Sequence, residues 1–153
     1  MSTRTQYDAD LAALKALLAK MGQLSADAVE DALESLCTAD AEGAKEIIKG
    51  DSEVNRMERD IEHRCMTLLL RQQPVAGDLR RISTTMKVVT DVERIGDQAS
   101  DIAELVLHLH AKSTDAVGVL EDILKMGDDV LKMVKRSIAA YVQVDLAAGA
   151  EVI

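Results

Sequence analysis

The sequence predicts an all-α fold, an antiparallel three-helix bundle followed by the first helix of a second, incomplete unit. Three observations carry this reading. Of 153 residues, 48% are apolar, yet there are 2 Tyr, no Phe or Trp and 1 Pro. A core alphabet of Leu, Ile, Val, Met and Ala favours helices over sandwiches or barrels. Apolar residues recur at steps of three and four through long, nearly unbroken segments. Finally, sliding the chain by 105 residues lays Met21, Gly22, Val29, Asp40, Glu46 and Ile48 on Met126, Gly127, Val134, Asp145, Glu151 and Ile153 without a gap. The length is one domain's worth and buries roughly two thirds of the unfolded surface.

The first helix runs from Asp8 to about Cys37, its stripe drawn by Leu11, Leu14, Leu17, Met21, Leu24, Ala28, Ala32 and Leu36. Asp40 is the N-cap expected for the second, whose stripe is Ala44, Ile47, Val54, Met57, Ile61, Cys65 and Leu68, with a local loosening expected at Gly50 and Asp51. Pro74 lacks an amide hydrogen and turns its predecessor away from α geometry, so it marks the turn into the third helix. That helix carries Leu79, Ile82, Val89, Val92, Ile95, Ala99, Ile102, Val106 and Leu109, with Gly96 its one weak point. After His110 the chain turns polar, and Ser113 or Thr114 is expected to cap a fourth helix reaching about Tyr141. Three such stripes bury themselves economically as an up-down-up bundle. Residues 1–112 therefore read as one unit and 113–153 as the start of another. In the 105-residue offset Leu33 and Ile138 also correspond, and the second copy stops at Ile153 where the first continues, so the chain reads as cut off within its second repeat.

A net charge of −9 argues against nucleic acid and against direct adhesion to an anionic lipid surface. No apolar run is long enough to span a bilayer, and the first residues hold no signal core, which reads as cytoplasmic. Cys37 and Cys65 form neither a disulfide scaffold nor a zinc pattern and are expected to be buried free thiols. The methionines are expected mostly at core positions. A nucleophile elbow and a glycine-rich phosphate loop are both missing from the sequence, which argues against covalent and nucleotide-driven catalysis.

What remains is acidic. Glu93, Asp97 and Asp101 stand at i, i+4 and i+8 on the third helix, on one face that Glu104 and His108 extend. Asn55, Glu58 and Glu62 share a face of the second helix, with Asp51 one turn earlier. Like charges so spaced cost a helix a few tenths of a kcal/mol per pair unless counter-charge, solvent or a cation relieves them. Oxygen-rich, thiol-free clusters suit Mg²⁺, Mn²⁺, Ca²⁺ or iron. The competing reading is a solvated acidic face. The Glu-x-x-His pair of buried di-iron bundles is missing. Arg71, Arg80 and Arg81 gather at the Pro74 turn, either to contact an anion or acidic partner or to serve as a helix C-terminal charge and an ion-pair partner of Asp78.

The segment EIIKGDSEVNRMERDIEHRC, followed by LLLRQQPVAGDLRRI and TDVERIGDQASDIAE, resembles the PhoU family, accessory regulators of the phosphate-specific transport system. The similarity peaks in residues 46–104. The resemblance implies two pseudo-symmetric three-helix repeats, a cytoplasmic and often dimeric protein, and acidic motifs that hold divalent or trivalent metal ions, whether iron, zinc, manganese or magnesium. Its E/D-x-x-x-D motif falls on Glu93–Asp97 and again on Asp97–Asp101. The helix-two motif falls on Glu58 and Glu62, with Asp51 and Asn55 as further ligands or supports. It also implies an adaptor without substrate turnover, working between the transporter's ATPase subunit and a sensor histidine kinase to repress the phosphate-starvation response and reaching the membrane only through those partners. A plain helical scaffold and a metal-dependent enzyme are the alternatives.

Overall fold

The computed structural model describes residues 3–74, 76–112 and 117–143. They form four helices, α1 (Thr3–Thr38), α2 (Ala41–Gln72), α3 (Ala76–Lys112) and α4 (Val117–Gln143), and no strand occurs among the described residues. α1, α2 and α3 pack pairwise against one another, and α4 packs against α1. The expected cap at Ser113 or Thr114 lies outside the described residues.

The boundaries have local causes. The Asp40 side chain accepts from the backbone N–H groups of Glu42 and Gly43, capping α2. Just before it, Ala39 turns left-handed at φ 54°, and the Asp40 N–H donates to the Ser35 carbonyl at 3.0 Å, which closes α1. Gln73, also left-handed, ends α2 ahead of Pro74. Contrary to expectation α2 is continuous through Gly50 and Asp51, because packing of Val54 and Met57 holds the turn that glycine alone would loosen.

Three apolar layers follow the bundle axis. At one end Leu14, Leu18 and Met21 of α1 meet Ile61, Cys65 and Leu68 of α2 and Ile82 and Val89 of α3. In the middle Ala26, Val29 and Leu33 meet Leu131 and Val134 of α4. At the other end Ala44 packs with Ala103 and Val106. The start of α2 thus lies beside the end of α3, so the two run antiparallel. α1 touches all three other helices and buries a broad surface, Leu18, Ser25, Val29 and Leu33 included, rather than the single stripe expected.

The contact of α1 with α4 repeats itself. A Cβ on Gly22 would sit 2.9 Å from the Ile138 side chain, and one on Gly127 would run into Leu33. These are the same two positions of the 105-residue offset, met twice with the helices exchanged. Both glycines let the backbones approach closely.

Five residues expected in the core are exposed instead. Cys37 is exposed near the end of α1, and only Cys65 is buried. Leu79 is 45% exposed, because it precedes the point where α3 enters the core at Ile82. Met66, Met126 and Met133 are exposed too, Met66 on the outer side of α2 and Met133 at a groove between α4 and α3. Met21 and Met57 are core residues as expected.

Candidate functional site

The two acidic rows lie on neighbouring helices and face one another. α2 and α3 run antiparallel with residues whose numbers sum to about 150 opposite each other, as Leu68 and Ile82 in the core illustrate. Asp51 accordingly lies in the field of Asp97 and Asp101, Glu58 in that of Glu62 and Asp97, and Glu93 in that of Asp97, Glu58 and Asp51. Gly96, beside Asp97, allows this closeness: a Cβ there would stand 3.2 Å from Val54.

For Asp51, Glu58 and Glu93 partial burial is the main force raising the carboxyl pKa above its ordinary value, and the neighbouring carboxylates push the same way. Counter-charge is sparse. Arg59 relieves Glu58 and Arg94 relieves Glu93, but Arg94 is also 3.7 Å from Asp91. Asn55 donates from Nδ2 to Asp51 Oδ2 at 2.8 Å, while Asp51 Oδ1 and Asn55 Oδ1 are buried without a hydrogen-bond partner. A buried acceptor left unpaired costs about 1–3 kcal/mol. Two such oxygens, one turn apart beside a carboxylate cluster, form an unsatisfied and electronegative site.

Asp101 is exposed and accepts from Gln98 at 3.3 Å, so it stands at the rim. Glu104 and His108 are exposed beyond it. Among the described residues no three His, Cys, Asp or Glu side chains are gathered into a ready-made coordination shell. The donor set itself, carboxylate and amide oxygens without thiol or imidazole, fits a hard cation.

Arg71, Arg80 and Arg81 lie elsewhere, exposed at the α2–α3 turn. Arg81 pairs with Asp78 at 3.8 Å, and Arg71 sits in the last turn of α2, where its charge faces the helix C-terminus. The arginines and the acidic rows therefore make two separate surfaces.

One feature escaped the sequence reading. Between α1 and α2 runs a cleft of about 580 Å³ in which seven lining side chains are carboxylates, Asp27, Asp31 and Glu34 from α1 among them, and no lysine or arginine takes part. The signal was the i, i+4, i+7 spacing of those three residues. Asp51 reaches this cleft as well as the α2–α3 row.

Comparison with known proteins agrees with the all-helical fold. The PhoU domain family model matches residues 18–106. The chain is 38% identical over 151 residues to the phosphate-specific transport system accessory protein PhoU homolog of Clostridium acetobutylicum, covering 98% of this chain and 68% of that protein. It is 36% identical over 140 residues to the homolog of Pseudomonas aeruginosa, covering 92% of this chain and 57% of that one. The crystal structure of PhoU from Pseudomonas aeruginosa superposes with a TM-score of 0.91 at 34% identity, over 95% of this chain and 69% of the other. That of the phosphate transport system regulatory protein PhoU from Streptococcus pneumoniae gives 0.85 at 29%, over 95% and 68%. The chain thus spans between 57% and 69% of the length of these relatives.

Proposed function

The chain belongs to the PhoU family, and from that premise we propose that it is a cytoplasmic, metal-binding regulatory adaptor of phosphate uptake, without turnover of its own. The observation that carries the metal reading is the apposition of two acidic rows, with Asp51 Oδ1 and Asn55 Oδ1 unpaired between them. Glu93, Asp97, Asp101, Glu58 and Glu62 would hold the ions, with Asp51 and Asn55 as further donors. A bound cation would supply the positive charge that these residues lack. The accessory-protein names of the relatives support regulation of phosphate transport. The transporter's ATPase subunit and a sensor histidine kinase are the proposed partners, and a homodimer is the proposed state. None of the described helices is long and apolar enough to cross a membrane, in keeping with action through partners.

We also read α1–α3 as one repeat and α4 as the first helix of a second. In the offset Met21, fully buried, corresponds to Met126, which is 62% exposed. The face that α1 buries against α2 and α3 is thus apolar on α4 as well, as a helix needs if it is to be covered in the same way.

Elemental analysis of gently purified protein beside a Glu93→Gln, Asp97→Asn double variant tests the metal reading. Stoichiometric metal in the parent that vanishes in the variant is the expected result. The rival scaffold reading draws on the lack of a preassembled coordination shell. It prevails if neither protein holds metal and both melt identically with and without a chelator.

A further inference from the structure

We propose that the end of the bundle formed by the α2–α3 turn is a docking surface for an acidic, amphipathic helical segment of a partner protein. Leu70 is 75% exposed, the largest value among the exposed large hydrophobic side chains, with Met66 at 46% one turn earlier and Leu79 at 45% on α3. The antiparallel register places Leu70 and Leu79 at the same end of the bundle, with Met66 one turn from Leu70 on α2. Isolated exposed leucines are ordinary, whereas a contiguous group with a polar rim marks an interaction site.

The rim decides the occupant. Arg71, Arg80 and Arg81 border the patch, and Arg71 and Arg80 have no ion-pair partner among the described residues. From 66 to 81 the charged residues are these three arginines and Asp78, a net charge of +2 on a chain of −9. This is a basic segment of an acidic molecule, and its complement has apolar side chains flanked by carboxylates. Arginine and methionine are both enriched at protein interfaces. An anionic membrane is the less favoured occupant. Three arginines fall short of the four to eight basic residues that hold a protein to anionic lipid, and the remaining charge of the chain is repelled by such a surface. The left-handed Gln73 and Ala76 hold the turn in a conformation that costs non-glycine residues about 1 kcal/mol each, and both lie within this surface.

This inference rests on the adaptor reading for the existence of a partner, but it does not involve metal. The test is calorimetric titration of the full chain with an 18-residue synthetic helical peptide bearing leucines on one face and glutamates on the other. Saturable binding that weakens with added salt is expected, together with at least a tenfold loss of affinity in Leu70→Ser, Arg80→Glu. Both positions are exposed, so this variant should keep the parent's circular dichroism. The parent should bind the peptide equally with and without a chelator, which separates failure of this surface from failure of the metal site. Equal affinity of the parent and the double variant, or tighter binding of a peptide with lysine in place of glutamate, overturns the proposal. So does binding to phosphatidylglycerol vesicles without peptide binding, which would assign the patch to lipid.

Discussion

Glu30 of α1 and Lys135 of α4 form an ion pair at 2.6 Å, and their separation of 105 residues equals the offset at which the sequence matches itself. A contact between two residues separated by the offset itself lies on the local axis that relates the two helices. Glu30–Lys135 therefore marks a local two-fold axis between α1 and α4, and the reciprocal contacts of Gly22 with Ile138 and Gly127 with Leu33 flank it. The exposed pair itself contributes under about 1 kcal/mol, so close packing rather than charge holds this crossing.

Gly22→Ala and Gly127→Ala should each destabilise the protein. Alanine gains about 1 kcal/mol of helix propensity over glycine, but the added methyl at Gly22 meets Ile138 at 2.9 Å, and overpacking costs about 1–3 kcal/mol. A net loss of about 1 kcal/mol is expected from urea denaturation. The double variant should lose less than the sum, because one separation of α1 from α4 relieves both clashes. Stabilisation by either single change would refute the two-fold contact.

Ala39→Gly should stabilise. Ala39 sits at φ 54° between α1 and α2, where a side chain is disfavoured by about 1–2 kcal/mol and glycine is the usual occupant. After glycine's greater freedom in the unfolded chain is subtracted, a gain of about 0.5–1 kcal/mol remains. A lower midpoint in thermal melting would show that the turn is held for another reason.

The metal-free protein should become more stable on mild acidification. Burial and like charge raise the carboxyl pKa values of Asp51, Glu58 and Glu93, so the folded state takes up protons more readily than the unfolded chain. Their contribution is fully present below the ordinary carboxylate range and is lost as pH rises through the raised values. From neutrality downwards the chelated protein should therefore gain stability until the remaining carboxylates begin to protonate. Glu93→Gln should flatten this gain and raise stability at pH 7 in chelator, and an unchanged pH profile in that variant would remove the cluster as its cause.

How much of this was legible beforehand varies with the residue. Ile61, Cys65, Leu68, Val89 and Val92 followed from periodicity alone, because each lies where its helix is flanked by two others. Leu79 did not, since periodicity assigns a face but not how far along the helix the neighbours reach, and Met66 lies off the stripe on the outer side of α2. Asp51 and Asn55 were readable as members of a row. Their unpaired oxygens depend on the register of α2 against α3, which no local pattern specifies. The α1–α2 cleft was hidden because an apolar stripe defines α1 but does not say which neighbour its carboxylates Asp27, Asp31 and Glu34 stand beside.

Tyr141→Phe should loosen α4 without unfolding the rest. The Thr85 hydroxyl donates to the Arg81 carbonyl at 2.9 Å, so its one proton is used and the Tyr141 hydroxyl, 2.6 Å away, donates to Thr85 Oγ1. This bond ties the end of α4 to α3, whereas the main packing of α4 is on α1. Burial raises the Tyr141 pKa, so the phenol keeps that proton well into the alkaline range. Removing it leaves Thr85 still bonded to Arg81, and the loss should be at the low end for a buried hydrogen bond, about 0.5–1 kcal/mol. Hydrogen exchange locates the effect: amides of the last turns of α4 should exchange faster, while those around Ile61 and Val89 stay protected. Uniform acceleration across all four helices would mean that α4 unfolds together with the other helices, and that Thr85–Tyr141 stabilises the whole molecule rather than the attachment of one helix.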